Sequence, residues 1–474
     1  MSAEFDFMTA TELRQRIARR EISPVALTRR ALDKAAATQA SLNAFFLLMP
    51  ERALDAAREA EEAVVKGRPL GLLHGIPFSA KDLMAVAGVS YASGSRTMAG
   101  NVAAVDAPAV ERARAAGAIL IGKTTTSEFG CKPVGDSPLT GITRNPWNLG
   151  KTPGGSSAGA VASVAAGITP FALGTDGGGS IRIPCCFTGL AGIKGQFGRV
   201  PVWPTSATPT LAHVGPIARN IEDAALLFSA IAGYDPRDPF AVAGPVPDVV
   251  AAGKSDAKRV KIAYSPTLGY ARPDAEVVRV VGKAVRQFEG FGCIVEQVDS
   301  VFEKDPADLW TAEFYAGVGT RLRGFVERQR DLLDPAVAEV LEAALGQDMR
   351  GYYEKVFERY AFRDKVRALF ANYDLLVSPV LPVPSLDVGK NIPDHLSDRN
   401  LVSWVYYTYP FNLTGQPAAT VCAGVGSDGM PIGLQIVGKA MGEHDVVRAA
   451  AAFERAQPAG YNLAPAARAD HIRV

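Results

Sequence analysis

The sequence predicts an α/β protein. Short apolar runs bounded by Gly or Pro alternate with longer segments of helical periodicity along the whole chain, the pattern of a sheet layered with helices. No internal repeat or low-complexity tract interrupts that alternation. A hydrophobic content of 48% over 474 residues is enough for a large core. Length alone suggests about three domains of roughly 150 residues each.

Taken in order, residues 9–65 read as helices. "TATELRQRIARREIS" opens on a Thr cap, and "PERALDAAREAEEAVVKG" runs from an early Pro to a closing Gly. "HGIPFSAKDL" (74–83) is an apolar segment running into a charged pair, and "AGAILIGKTT" (116–125) is a buried-strand pattern. A loop rich in Pro, Gly and Asn, "ITRNPWNLGKTPGGSSAG", leads into a buried helix "AGAVASVAAG" and a strand "FALGTD". Residues 235–258, with four prolines, read as a surface excursion. Residues 275–290 and about 306–370 are helical in pattern. "YDLLVSPVLPVPS" is a strand that ends in a proline-rich loop, and 385–400 reads as polar and mobile. The chain closes with strands near "AATVCAG" and "PIGLQIVG" and the helix "EHDVVRAAAAFERA".

Bulk charge excludes several classes. Fifty Lys and Arg against 49 Asp and Glu leave no electrostatic footprint for nucleic acid or an acidic membrane surface. The five cysteines, Cys131, Cys185, Cys186, Cys293 and Cys422, form no C-x-x-C, which fits a reduced, cytoplasmic protein without a disulfide framework. The first twenty residues lack an apolar h-region, so no signal peptide is expected. The Ala/Gly-rich run before Asp176 is too short to span a bilayer. The five histidines are scattered and offer no metal-ligand spacing, so no metal or other cofactor is expected.

Several motifs compete for the chemistry. "GAILIGKT", Gly117 to Thr124, fits the phosphate-loop pattern G-x-x-x-x-G-K-[ST]. Its four intervening residues are Ala, Ile, Leu and Ile, which suit a buried strand rather than an amide cradle; nucleotide binding is kept as the lesser alternative. "GSSAG", Gly155 to Gly159, fits G-x-S-x-G around Ser157, but a loop rather than a strand precedes it, and nothing in the sequence places His444, its late candidate partner, nearby. "SDAK" (255–258) lies in the polar excursion. Cys185 and Cys186 follow Pro184 in an apolar run and read as packing.

"GTDGGGSIRIP" (174–184) places Gly177, Gly178 and Gly179 before Ser180. Glycines at positive φ can turn consecutive amides to one spot, an anion nest that would serve a serine nucleophile as its oxyanion hole. A tight turn explains the same residues. A proton acceptor is available in Lys81 of "SAKD" if burial lowers its pKa from about 10.4 toward neutrality. A serine of "TPGGSSAG" can relay the proton.

These three segments, "HGIPFSAKD", "TPGGSSAG" and "GTDGGGSIRIP", resemble those of the amidase signature family. Lys81 and Ser156 are 75 residues apart, and Ser156 and Ser180 are 24 apart, which agrees with the family. "LAHVGPIARNIEDAALLFSAIAGYDPRDP" and "PFNLTGQPAATVCAGVGSDGMPIGLQIVG" extend the likeness over about residues 8–455. The resemblance implies one large α/β domain with a twisted mixed β-sheet surrounded by α-helices. Within it lie N-terminal helices (about 9–65), a core with the triad (66–235), a variable and mostly helical region (about 236–400) and C-terminal strands and helix (401–474). It implies a Ser–Ser–Lys triad: Ser180 as nucleophile, Ser156 as relay after a cis peptide bond, Lys81 as base. The amides of Gly177, Gly178, Gly179 and Ser180 would form the oxyanion hole, with Asp176 and Arg182 supporting the loop.

The implied activity is that of an amidase, a hydrolase acting on non-peptide C–N bonds of a small aryl or alkyl amide, with carbamates and esters open. Cys131, Ile183 and Trp203 are candidate pocket residues. No nucleic-acid or membrane partner is implied, and a monomer or homodimer is expected. The alternative within the family is the glutaminase subunit of a tRNA-dependent amidotransferase. That branch typically carries Gln where this chain has Ile183 and continues "YGRVSR" where this chain reads "FGRVPVWP". Two further departures, Gly177 in place of Thr or Ile and "CCF" after Pro184, are expected at the pocket wall.

Overall fold

Eleven strands hydrogen-bond into one mixed sheet in the computed structural model, which describes residues 5–464. From one edge to the other the order is Phe45–Leu48, Ile119–Thr124, Pro77–Lys81, Phe171–Asp176, His213–Ala218, Ala191–Lys194, Ala418–Val425, Pro431–Gly438, Leu375–Pro379, Lys261–Tyr264 and Ile294–Gln297. Of these, Ile119–Thr124, Pro77–Lys81 and Phe171–Asp176 are almost wholly buried, and each opens on an apolar run before ending in polar residues. Alternate side chains of Leu375–Pro379 enter two apolar clusters: Leu375 and Val377 one, Leu376 the other. Helices Ile221–Ile231 and Glu443–Arg455 pack into the first cluster. Helix Ala307–Arg328 and the aromatic segment 404–411 fill the second.

The expected stretch of helices at 9–65 contains a strand. Helix Pro24–Leu42 is capped by Ser23 and stops at Asn43, which adopts a left-handed conformation at φ 51°. The chain then forms the edge strand Phe45–Leu48, antiparallel to Ile119–Thr124, before Pro50 opens the next helix. Four residues between two helices are too few to show a strand period. The region 236–400 likewise holds strands Lys261–Tyr264 and Ile294–Gln297 besides Leu375–Pro379, all mutually parallel with helix Ala275–Gly290 as a crossover. In the segment 385–400, Leu386 and Leu396 are buried and Lys151 bridges to Asp387. Residues 1–4 and 465–474 of the expected domain lie outside the described residues. Among the described residues, no helix is long and apolar enough to cross a membrane.

Two neighbouring parallel strands set up the site. Pro77–Lys81 and Phe171–Asp176 run in the same direction, with Ala80 opposite Leu173, so Lys81 and Asp176 end at the same sheet edge. Helix Ala158–Ala165, in which every residue is buried, packs against both strands, its small alanine side chains allowing that closeness. Helix Arg182–Thr188 follows the strand that ends at Asp176.

Candidate active site

Lys81 ends a strand whose five residues are all buried. Its Nζ lies 2.6 Å from Ser156 Oγ and 2.8 Å from Thr175 Oγ1. Burial pushes the Lys81 pKa well down, and the charge of Asp176 opposes this only in part. Asp176 is committed elsewhere. Its carboxylate accepts from Arg182 Nε and Nη2, both at 2.9 Å, and from Asn412 Nδ2 at 2.9 Å. Burial would raise Asp176, but the Arg182 guanidinium outweighs it and holds the carboxyl well below the usual range. No carboxylate among the described residues lies within ion-pair distance of Lys81.

Ser156 follows a cis peptide bond from Gly155 in the loop that precedes helix Ala158–Ala165. A Cβ at Gly155 would stand 2.2 Å from the Val134 carbonyl oxygen, so only glycine fits there. Ser180 sits at the turn between Asp176 and helix Arg182–Thr188 and is partly exposed. Ser156, Thr175, Gly177 and Ser180 line one cavity of about 260 Å³, whose walls include Leu83, Met98, Phe129, Trp203, Phe314 and Val318. A second cavity of about 20 Å³ also meets Ser180 and is lined by Cys131, Ile183, Trp310 and Tyr409. The three candidate pocket residues thus divide, with Trp203 on the large cavity and Cys131 and Ile183 on the small one.

The glycine run is built differently from the expected nest. Only Gly179 takes a positive φ, at 139°. Gly177 and Gly178 are required by packing instead. A Cβ on Gly177 would lie 2.9 Å from the Phe314 ring, and one on Gly178 would lie 2.7 Å from the Trp310 ring. Helix Ala307–Arg328 lays these two aromatics, stacked at 4.4 Å, directly on the loop. This also accounts for Gly177, since a larger residue there would need the helix to retreat. Cys185 and Cys186 do not reach either cavity. They face the sheet, where Cys185 Sγ fills the space over Gly192 and Cys186 Sγ accepts from the Gly433 amide at 3.2 Å. Burial raises both thiol pKa values.

The competing motifs separate from this site. Ile119–Thr124 of the phosphate-loop pattern is a buried strand, and Lys123 Nζ lies 2.8 Å from Asp82 Oδ1. Ser157 is buried, with its Oγ on the Thr175 carbonyl at 3.3 Å. His444 is exposed on helix Glu443–Arg455, beside Asp445. His213 lines the large cavity, but Nδ1 lies 2.8 Å from the Leu211 carbonyl and Nε2 lies 3.3 Å from Lys194 Nζ. Burial, then Lys194, pushes its pKa well down. Among the described residues, no group of three His, Cys, Asp or Glu side chains is placed to hold a metal ion.

Sequence reading missed Thr175, Trp310, Phe314, Thr408 and Asn412. Trp310, Phe314, Val318 and Leu322 recur every four residues, a stripe that reads as ordinary core. Thr408 and Asn412 reach the site from more than 220 residues away in sequence, with nothing local to mark them.

The model of the family described as Amidase matches residues 26–447. The chain belongs to the amidase signature family. It is 34% identical over 462 residues to an acylamidase of Rhodococcus erythropolis, covering 95% of this chain and 96% of that one. It is 33% identical over 480 residues to a glutamyl-tRNA(Gln) amidotransferase subunit of a Geobacter species, covering 94% and 97%. Among solved structures it superposes on a bacterial aryl acylamidase of the amidase signature family with a TM-score of 0.90 and 29% identity, covering 96% and 98%. As a member of this family, the chain is an amidase signature hydrolase.

Proposed function

We propose that this chain hydrolyses a small carboxylic amide through an acyl-enzyme on Ser180. The observation that carries the reading is Lys81, buried and 2.6 Å from Ser156, with hydroxyls rather than carboxylates as neighbours. An ammonium in such a place gives up its proton, because desolvation penalises the charge and the more distant Asp176, already paired with Arg182, repays it only in part. The neutral amine is then a base of suitable strength near neutral pH.

In this reading, Ser180 Oγ attacks the amide carbon as its proton passes to Ser156 and the Ser156 proton passes to Lys81. The carbonyl π pair becomes an oxyanion, received by the amides of Gly177, Gly178, Gly179 and Ser180. Collapse breaks the C–N bond, and the Lys81 ammonium returns its proton through Ser156 to the leaving nitrogen. Water then attacks the ester, giving its proton to the same relay, and the carboxylic acid and Ser180 are released. Arg182 and Asp176 hold the loop. The two cavities favour a substrate with a bulky apolar group against Trp203 and a short group beside Cys131 and Ile183, as in an anilide of a short acid. A fluorophosphonate probe is expected to label Ser180, located by peptide mapping, and label on Ser157 instead would overturn the reading.

The second reading is the glutaminase subunit, favoured by the relatives of that name. The apolar Ile183 beside Ser180 and the "FGRVPVWP" continuation weigh against it. Anilide hydrolysis by the isolated chain, with glutamine left intact, is the expected outcome. Turnover of glutamine alone would reverse the assignment.

A further inference from the structure

The glycine loop makes four consecutive peptide groups, and each carbonyl is held by a different donor. The Asp176 carbonyl accepts from Asn412 Nδ2 at 3.0 Å. The Gly177 carbonyl accepts from the Trp310 indole N–H at 2.8 Å. The Gly178 carbonyl accepts from Thr408 Oγ1 at 2.6 Å. The Gly179 carbonyl accepts from the Ile183 amide at 2.7 Å. In a planar trans peptide the C=O of one residue and the N–H of the next point in opposite directions. Fixing these four oxygens therefore fixes where the amides of Gly177, Gly178, Gly179 and Ser180 point. Those are the four donors assigned to the oxyanion, and among the described residues none of them has an acceptor of its own.

From this we propose that Trp310 and Thr408 are positioning residues for the oxyanion hole, acting through the carbonyls of Gly177 and Gly178. The inference rests on the proposed acyl transfer at Ser180. Glycine supplies little steric preference of its own, so an unanchored Gly177–Gly178–Gly179 run would sample many orientations of its amides. Oxyanion stabilisation depends on donors already aimed before charge develops. The anchors are themselves fixed. Arg182 Nη1 donates to the Thr408 carbonyl at 2.8 Å, and Arg182 Nη2 donates to Asn412 Oδ1 at 2.6 Å, which turns the Asn412 amide nitrogen toward Asp176. Trp310 is held face to face against Phe314 and edge-on against Tyr315. The Thr408 hydroxyl has one proton and two carbonyls in reach, Gly178 at 2.6 Å and Val405 at 3.0 Å, and the shorter contact is to the loop.

The test uses Thr408→Val and Trp310→Phe, which remove a donor while keeping most of the shape, with Thr408→Ser as the conservative rescue. Each variant is assayed on a p-nitroanilide and on the matching p-nitrophenyl ester. An oxyanion forms on both substrates, so kcat is expected to fall by a similar factor on both, on the order of 10-fold to 100-fold, with KM little changed. A trifluoromethyl ketone that adds to Ser180 should weaken in parallel with kcat/KM, while an unreactive substrate analogue binds as before. Thr408→Ser should recover most of the rate.

Wild-type kcat in Thr408→Val and Trp310→Phe would overturn the inference. So would a change confined to KM in Thr408→Val; Trp310 also lines the small cavity, so for Trp310→Phe the deciding readout is the fall in kcat on both substrates. Loss of rate that Thr408→Ser does not recover, with a matching fall in thermal midpoint, would reduce them to structural residues. Fluorophosphonate labelling of wild-type Ser180 separates the two levels. Label with undiminished variants refutes only the anchoring, whereas absence of label and of hydrolysis refutes the acyl transfer beneath it.

Discussion

Lys81 and Lys123 lie on adjacent parallel strands, one residue out of step, with Ala80 opposite Lys123 and Lys81 opposite Thr124. Both are fully buried. Lys123 Nζ meets Asp82 Oδ1 at 2.8 Å, whereas Lys81 Nζ meets, among the described residues, only the hydroxyls of Ser156 and Thr175. Lys81 and Asp82 adjoin in sequence, yet Lys81 closes the strand while Asp82 opens the turn after it, and the Asp82 carboxylate reaches the other lysine. Burial lowers Lys123 as well, but the Asp82 carboxylate works against it. Burial raises Asp82, and Lys123 works against that. Burial is therefore common to both lysines. In the proposed mechanism, what separates the base from half of an ion pair is whether a carboxylate reaches the nitrogen.

The largest test of that difference is Lys81→Ala. Amide turnover is expected to fall by about 10² to 10⁴-fold, the usual contribution of a general acid–base group. Activated-ester turnover should fall much less, because a good leaving group needs no proton. An equal loss on both substrates would instead mark Lys81 as positional. Wild-type amide turnover should rise with pH as Lys81 loses its proton at its lowered pKa, then level off. Stability carries the same sign. The folded-state pKa is below the unfolded value, so the unfolded chain holds the extra proton between the two. This contribution is complete above the unfolded lysine value and is lost as pH falls toward the folded one. Lys81→Met should flatten that rise of stability with pH, measured by denaturant titration across the window.

Lys123→Met should behave in the opposite way. It leaves Asp82 buried without its cation, and breaking a buried pair costs about 3–5 kcal/mol. Denaturant unfolding should show this loss, while turnover per folded molecule on both substrates stays near wild type. Asp82→Asn combined with Lys123→Met should recover much of the stability, since the orphaned charge is gone. A selective loss of amide turnover in Lys123→Met would mean that the second lysine, too, takes part in chemistry.

The same pair shows how far the sequence could be read. "SAKD" and "GAILIGKT" each present a lysine after an apolar run, and their shared burial follows from that pattern. Their opposite partners do not, because Asp82 adjoins Lys81 in the chain and yet pairs with Lys123. The strand through Lys123 was legible because Ala, Ile, Leu and Ile suit a sheet interior and not a phosphate cradle. Spacing and motif brought Lys81, Ser156 and Ser180 to attention together. The glycine run was legible as a special loop but not for its cause. Phe314 and Trp310, more than 130 residues away, impose Gly177 and Gly178 by contact, whereas Gly179 is required by its own positive φ. The edge strands Phe45–Leu48 and Ile294–Gln297 were hidden because four residues carry too short a period, and the second is mostly exposed.

The smallest expected effect isolates one of the two hydroxyls around Lys81. Thr175→Val keeps the shape at strand Phe171–Asp176 and removes the oxygen 2.8 Å from Nζ. A hydroxyl oxygen can accept from an ammonium, so its removal withdraws support from the charged form. The acidic limb of the rate profile should therefore move to lower pH. The plateau should fall at the same time, because Nζ loses a contact that keeps it turned toward Ser156. A single hydrogen bond is worth about 0.5–1.5 kcal/mol, which sets the loss at roughly 2-fold to 13-fold. The two changes oppose each other at low pH, so the deficit should be smallest there and largest on the plateau, with Thr175→Ser close to wild type throughout. A limb that moves to higher pH would show that Thr175 supports the neutral amine instead. Lys81 would then owe its low pKa to this hydroxyl as well as to the missing carboxylate.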